Sequence, residues 1–254
     1  MQDEAGRKAA TGDANPGDSG SKRGKRHVGR DAETAYDHLY EAIVDQRLLP
    51  GTKLTEQALA DAMNVSRRSL GAAMQRLVWE KLIVTVPNHG AYIATPDVQE
   101  VQDVFGARIA IESGTTEAVA RYATEDQLAQ LSANLAEERE LRRQGRIREA
   151  IHLSGGFHVL MAAMSGNVIL AEQVRILVAR TSLIVDLFEN QSGMTGWHDH
   201  HDDLIDLCRA RKVDEAVALM REHILELRDG LALERRRATP LNLRDAFSRP
   251  GSGR

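Results

Sequence analysis

Tyr36, Leu39, Tyr40 and Ile43 recur at three- and four-residue intervals, the spacing of one helix face, and predict an amphipathic helix over residues 32–47. Pro50-Gly51 ends it. A second helix over 56–63 follows, with Thr55 as its cap and Leu59 and Met63 on its inward face. After the short turn Asn64-Val65, Ser66 can cap a third helix, whose Leu70, Ala73, Met74 and Leu77 again share one face. Two β-like runs come next, Ile83–Val86 and Ala91–Thr95, joined by Pro87-Asn88-His89-Gly90.

Helix, helix, tight turn, helix and hairpin is the order of a winged helix-turn-helix, a DNA-reading unit. Beyond Pro96 the pattern is helical throughout, with helices near 97–122, 125–144, 147–165, 168–190, 197–211 and 214–237. Gly145, Gly166-Asn167 and Gly193/Gly196 punctuate them, and no coiled-coil heptad is sustained. The predicted fold is mainly α: an N-terminal winged helix-turn-helix with a small β-hairpin wing, then a C-terminal all-α helical bundle. Residues 1–30 read as a disordered basic tail, 31–95 as the DNA-binding domain, 96–238 as the effector-binding and dimerisation domain, and 239–254 as a flexible tail. The basic run from Lys22 to Arg30 reads as solvated, with contact to DNA phosphates as the alternative.

Composition narrows the classes. The chain has 254 residues, 42% of them apolar and 4% aromatic, a mix that favours helix over sheet. A net charge of -4 rules out a uniformly basic coat, so nucleic acid must be met by a local patch. The single Cys208 excludes a disulfide framework and fits a reducing cytoplasm. No apolar run approaches the roughly 18 residues of a membrane span, and residues 1–30 lack the apolar stretch of a secretory signal.

The third helix supplies that local patch. Around its apolar face it carries Arg67, Arg68, Ser69, Gln75 and Arg76, with no acid among them. Arginine can fork onto guanine or clamp a phosphate, and a helix N-terminus favours an anion. The DNA-contacting set on this helix is therefore Ser66, Arg67, Arg68, Ser69 and Arg76.

Several segments together resemble the N-terminal domain of the GntR family: Leu49-Pro50-Gly51-Thr52-Lys53-Leu54, Leu59-Ala60, Val65-Ser66-Arg67, Arg76-Leu77, Leu82-Ile83 and Asn88-His89-Gly90-Ala91-Tyr92-Ile93. That resemblance covers about residues 35–95. It implies that Arg67 and its neighbours contact the operator and that the wing tip, at His89 and Gly90, enters the minor groove. The chain departs from the family pattern at Ser69, where proline is usual, and at Gly71, where a second arginine is usual. Arg68 stands as the replacement contact, so the operator sequence does not carry over from relatives.

Three histidines fall on inward helix faces: His158 beside Phe157 and Met161, His201 with Leu204, Ile205 and Cys208, and His223 with Met220, Ile224 and Leu227. Converging imidazoles can bind zinc or another divalent transition metal; buried histidines without metal are the alternative. Arg108-Ile109-Ala110-Ile111-Glu112, Phe157-His158 with Gly166-Asn167, His201 ahead of Leu204-Ile205, and Arg221-Glu222-His223-Ile224 resemble the FCD-type effector domain of the FadR/VanR branch of GntR regulators, over about residues 98–236. In metal-binding members one Asp and three His hold the ion, and a small organic acid completes the site. Here the Asp position, four residues before His158, is Ser154, which predicts a weakly held metal. Gly155-Gly156 predict either a loosened helix or room for a larger effector. Arg108 can pair with an effector carboxylate or form a structural salt bridge with an acid on a neighbouring helix. Asn167 belongs to the effector site or caps the helix from Val168.

The reading that joins these features is a ligand-responsive repressor, not an enzyme. It binds double-stranded operator DNA as a homodimer, because two recognition helices must meet successive grooves, and it senses a small carboxylate-bearing molecule. The alternative is a metal-dependent hydrolase built on the three histidines. It leaves the winged helix unexplained, and the chain has no HExxH.

Overall fold

The computed structural model describes residues 19–188 and 200–233. Its elements are α1 (Ser19–Val44), β1 (Lys53–Leu54), α2 (Glu56–Met63), α3 (Arg67–Trp79), β2 (Ile83–Val86), β3 (Gly90–Ile93), α4 (Val98–Tyr122), α5 (Glu125–Arg143), α6 (Ile147–Met164), α7 (Val168–Phe188), α8 (His201–Arg209) and α9 (Val213–Asp229). The mainly α fold with a small antiparallel sheet is as the pattern predicts.

Four local differences have physical causes. α1 starts at Ser19, inside the segment expected to be a tail. Its packed half, with Ala35, Tyr36, Leu39, Ala42 and Ile43 buried, nucleates the helix, and the Lys- and Arg-rich turns before it contain no proline to stop propagation. Residues 1–18 lie outside the described residues. β1 was not foreseen, because two residues carry no alternation signal. Gly51, at φ +79°, turns the chain back, so that Gly51 N–H donates to Ile93 O (3.0 Å) and Ile93 N–H to Thr52 O (2.9 Å). The sheet order is then β1-β3-β2, with Lys53 opposite Tyr92 and Ile83 opposite Ile93. Thr55 stands at the N-cap of α2, but its side chain makes no capping bond. Finally, α9 ends at Asp229, before the expected 237; Gly230 is the C-cap, and Ala232 N–H donates to Phe188 O (2.9 Å). The expected helix ends in 189–199 and the tail 239–254 lie outside the described residues.

In the bundle, Asp97 caps α4 through Glu100 N–H (2.8 Å), and Thr124 opens α5 in a capping box with Gln127. α4, α5, α6, α7, α8 and α9 enclose one core that includes Phe105, Leu131, Phe157, Phe188, Leu204 and Met220. Among the described residues no helix is long and apolar enough to cross a membrane.

The two units are not joined by a linker alone. Ala179 and Leu183 of α7 belong to the core of the winged helix, beside Leu39 and Ile43. Tyr40 Oη donates to Arg175 O (2.8 Å), and the Arg175 guanidinium lies 4.5 Å from the Tyr40 ring and 5.1 Å from the Tyr36 ring. Tyr36 Oη in turn donates to Glu80 Oε2 (2.8 Å), which carries the contact to the end of α3.

Candidate functional site

α3 presents its N-terminal turn to solvent. The Ser66 hydroxyl accepts from Ser69 N–H (3.1 Å), Arg67 and Arg68 are exposed, and the first turn has no acid. His89 and Gly90 are exposed at the wing tip, where Asn88 (φ +62°) and Gly90 (φ +99°) make the turn. Two residues of the predicted DNA-contacting set occupy other positions. Ser69 is buried, with its hydroxyl 2.8 Å from that of Ser66, because the helix cap draws it inward. Arg76 is stacked 3.7 Å from the centre of the Tyr36 ring and ion-paired to Glu80 and Glu33, both at 3.1 Å. It braces α3 against α1.

The second cluster lies inside the bundle. α6, α8 and α9 bring His158, His201 and His223 together, with one ring nitrogen from each within 4.8 Å of the others. His158 Nε2 and His223 Nε2 are 3.3 Å apart. Two nitrogens bonded to one tetrahedral zinc at ~2.0–2.1 Å lie about that far apart, so the donor set fits such an ion. Burial lowers the His158 and His223 imidazoles, the latter well below the ordinary range, so both are neutral, the form that binds metal.

Carboxylates stand behind two of these rings. His158 Nδ1 is 2.7 Å from Glu112 Oε2, and His201 Nδ1 is 3.8 Å from Glu138 Oε2. Arg108 Nε donates to Glu112 Oε1 (2.6 Å), while Arg142 donates through Nε (2.9 Å) and Nη2 (2.7 Å) to Glu138 Oε1. Burial pushes both carboxyls up. The Arg108 guanidinium and His158 outweigh it at Glu112, His201 and Arg142 outweigh it at Glu138, and both groups end below the usual range. Arg108–Glu112–His158 is thus a hydrogen-bonded relay, and Arg142–Glu138 stands behind His201 at ion-pair distance. Sequence reading gave no role to Glu112, Glu138 or Arg142. The signal was present as two four-residue Arg/Glu spacings, 108 to 112 and 138 to 142, which place each pair on one helix face.

A cavity of about 60 Å³ opens beside the histidines, lined among others by Arg108, Arg142, Ser154, His158, Thr181 and His223. Arg108 is 2% exposed; its Nη1 donates to Thr181 Oγ1 (3.4 Å) and its Nη2 has no partner among the described residues. Arg108 thus has an ion pair on one edge, with Glu112 of its own helix and not with an acid of a neighbouring one as expected, and an open donor on the other. Ser154 is at the cavity wall, as its place on α6 predicts. Asn167 is exposed at the start of α7, where Oδ1 accepts from Leu170 N–H (3.2 Å), and it does not line the cavity. α6 is continuous through Gly155-Gly156. A Cβ on Gly155 would lie 2.9 Å from Val178 Cγ1, so this glycine permits close packing of α6 on α7 where both residues line the cavity.

Against known proteins, residues 31–93 match the family model "Bacterial regulatory proteins, gntR family", and residues 103–226 match "FCD domain". The "Nta operon transcriptional regulator" of Aminobacter aminovorans is 28% identical over 183 residues, 71% of this chain and 85% of that protein. The "HTH-type transcriptional repressor GlaR" of Escherichia coli (strain K12) is 29% identical over 206 residues, 75% of this chain and 90% of that protein. The solved structure of E. coli McbR/YncC aligns with a TM-score of 0.67 over 77% of this chain and 93% of its own, at 16% identity, a likeness of fold.

Proposed function

The chain belongs to the GntR family of bacterial regulatory proteins, with an FCD domain as its larger part, and from that premise we propose that it is a repressor whose grip on its operator is released by a small carboxylate. It is a DNA-binding transcriptional regulator and not an enzyme. The hydrolase alternative finds nothing to favour it, since Glu112 and Glu138, the carboxylates beside the histidines, are each held by an arginine.

The observation that carries the proposal is the double duty of α7. Thr181, Ser182 and Val185 line the cavity, whereas Ala179 and Leu183 on the neighbouring face are packed into the winged-helix core. A ligand that shifts α7 cannot leave the seat of α1 and α3 unchanged, because packed cores have discrete arrangements and not a continuum. Two copies would present two α3 helices to successive major grooves, with Arg67 and Arg68 at base edges or phosphates and His89-Gly90 at the flanking minor groove.

His158, His201 and His223 would hold a divalent ion such as zinc. When bound, it supplies a positive anchor for the effector's carboxylate. Around it, Glu112 fixes the His158 ring by accepting from Nδ1, and Arg108 offers Nη2 to the same ligand. The relatives named repressors support the sign of the regulation. A mobility-shift titration of the full chain on DNA from upstream of its own coding sequence, with single-base variants, tests the reading. Sequence-specific binding at two half-sites supports it; binding of equal strength to unrelated DNA contradicts it.

A further inference from the structure

Two arginines reach the cavity from different helices, Arg108 from α4 and Arg142 from α5. We infer that the effector is a short dicarboxylate, one acid group on Arg108 and the other on Arg142. The inference rests on the cavity being the effector site and adds which acids it selects.

Arg108 is buried and its Nη2 has no acceptor among the described residues. A buried guanidinium N–H without an acceptor is costly, and a carboxylate is the acceptor that fits it best. Arg142 gives both Nε and Nη2 to a single oxygen, Glu138 Oε1, which leaves Nη1 over. Its side chain is 34% exposed, so it stands where the cavity meets solvent and Arg108 at the buried end. The lining also includes the apolar Val178, Val185 and Leu227, which suit the hydrocarbon spacer of a dicarboxylate, and the cavity of about 60 Å³ favours a short one.

Charge favours two acid groups over one. Each arginine is balanced by the glutamate it holds. With a divalent ion on the three histidines the cavity carries two uncompensated positive charges. A dianion cancels both; a monoanion leaves one buried in a site that disfavours it.

The test is calorimetric titration of the zinc-loaded full chain with malonate against propionate, and succinate against butyrate, at fixed ionic strength. The dicarboxylate of each pair should bind about tenfold tighter or better. Arg142→Gln should abolish that preference, and Arg142→Lys, which keeps the charge, should retain part of it. Circular dichroism on both variants confirms that the helices are intact. Equal binding of mono- and dicarboxylates by the wild type, or an undiminished preference in Arg142→Gln, overturns the inference and leaves the effector cavity standing. Failure of every acid to bind the zinc-loaded wild type overturns the effector reading itself, and the inference with it.

Discussion

His152 Nδ1 on α6 lies 2.6 Å from Oδ1 of Asp45, the residue that follows α1, so an ion pair crosses from the bundle to the winged helix. The hydrogen bond to Asp45 raises His152 above 6.5, with burial opposing it and Glu41 assisting. Burial pushes Asp45 up, but His152 and Arg47 outweigh it and hold the carboxyl below 3.8.

A pH signature follows from these directions. The raised imidazole contributes stability in full below 6.5, and that contribution is lost as pH rises through its folded value. The lowered carboxyl contributes above 3.8 and fails as pH falls through its folded value. The melting-temperature gap between wild type and Asp45→Asn should therefore be widest at about pH 5–6.5 and narrow toward about pH 8. Melting curves across that range check it; a gap independent of pH would show that the pair carries no charge-dependent stability.

Gly155 and Gly156 are neighbours with opposite expectations. Gly155→Ala should destabilise the chain by about 1–3 kcal/mol, because its Cβ would meet Val178 at 2.9 Å. Gly156→Ala meets Asn134 Nδ2 at 3.7 Å, an ordinary contact, and should be neutral or add up to about 1 kcal/mol through helix propensity. Urea unfolding of both variants separates the cases. Equal effects would refute the close-packing account.

The helical order was legible because long amphipathic segments such as Leu128–Leu141 repeat their period many times. The two-residue β1 could not be, since it is defined by its partner β3 and by the turn at Gly51. The three histidines were legible as inward positions on separate helices. Their carboxylate backing was not, because Glu112 and Glu138 read as ordinary members of i,i+4 surface pairs until the fold buries them. Ser69 and Arg76 show the converse. Polar residues on a DNA-reading helix look available in sequence, yet one belongs to the cap and the other to a stacked ion-pair cluster.

DNA reading should depend on Arg67 and Arg68 and only indirectly on Arg76. Arg67→Ala should cost about 1–3 kcal/mol of operator affinity and relax preference at one base position if the contact is a fork onto guanine. Arg76→Ala should lower the melting temperature, as it removes the brace on Tyr36, Glu33 and Glu80. Operator and single-base variants titrated at fixed salt, with parallel melts, distinguish the two. Unchanged affinity and preference in Arg67→Ala would remove that residue from the interface.

The metal site should bind one zinc-like ion per chain and yield it readily to chelators, because Ser154 brings no charge to the position four residues before His158. Ser154→Asp should tighten binding, and Glu112→Gln should weaken it by about 10–100-fold, as it releases the His158 ring. Competitive metal titration reads all three proteins. No metal on wild type and no gain in Ser154→Asp would mean that the histidines are not a metal site.

The proposed coupling of the cavity to α3 is tested most directly by linkage. Fluorescence anisotropy of labelled operator, titrated with zinc-loaded protein with and without saturating succinate, gives the factor by which the ligand weakens DNA binding. Calorimetry of succinate on free and operator-bound protein gives the reciprocal factor. Succinate should weaken operator binding about 5–150-fold, and operator should weaken succinate binding by the same factor. Arg108→Ala should bring both factors to about one. Succinate that binds the protein but leaves operator affinity unchanged would contradict the role of α7 as the element shared by the two sites.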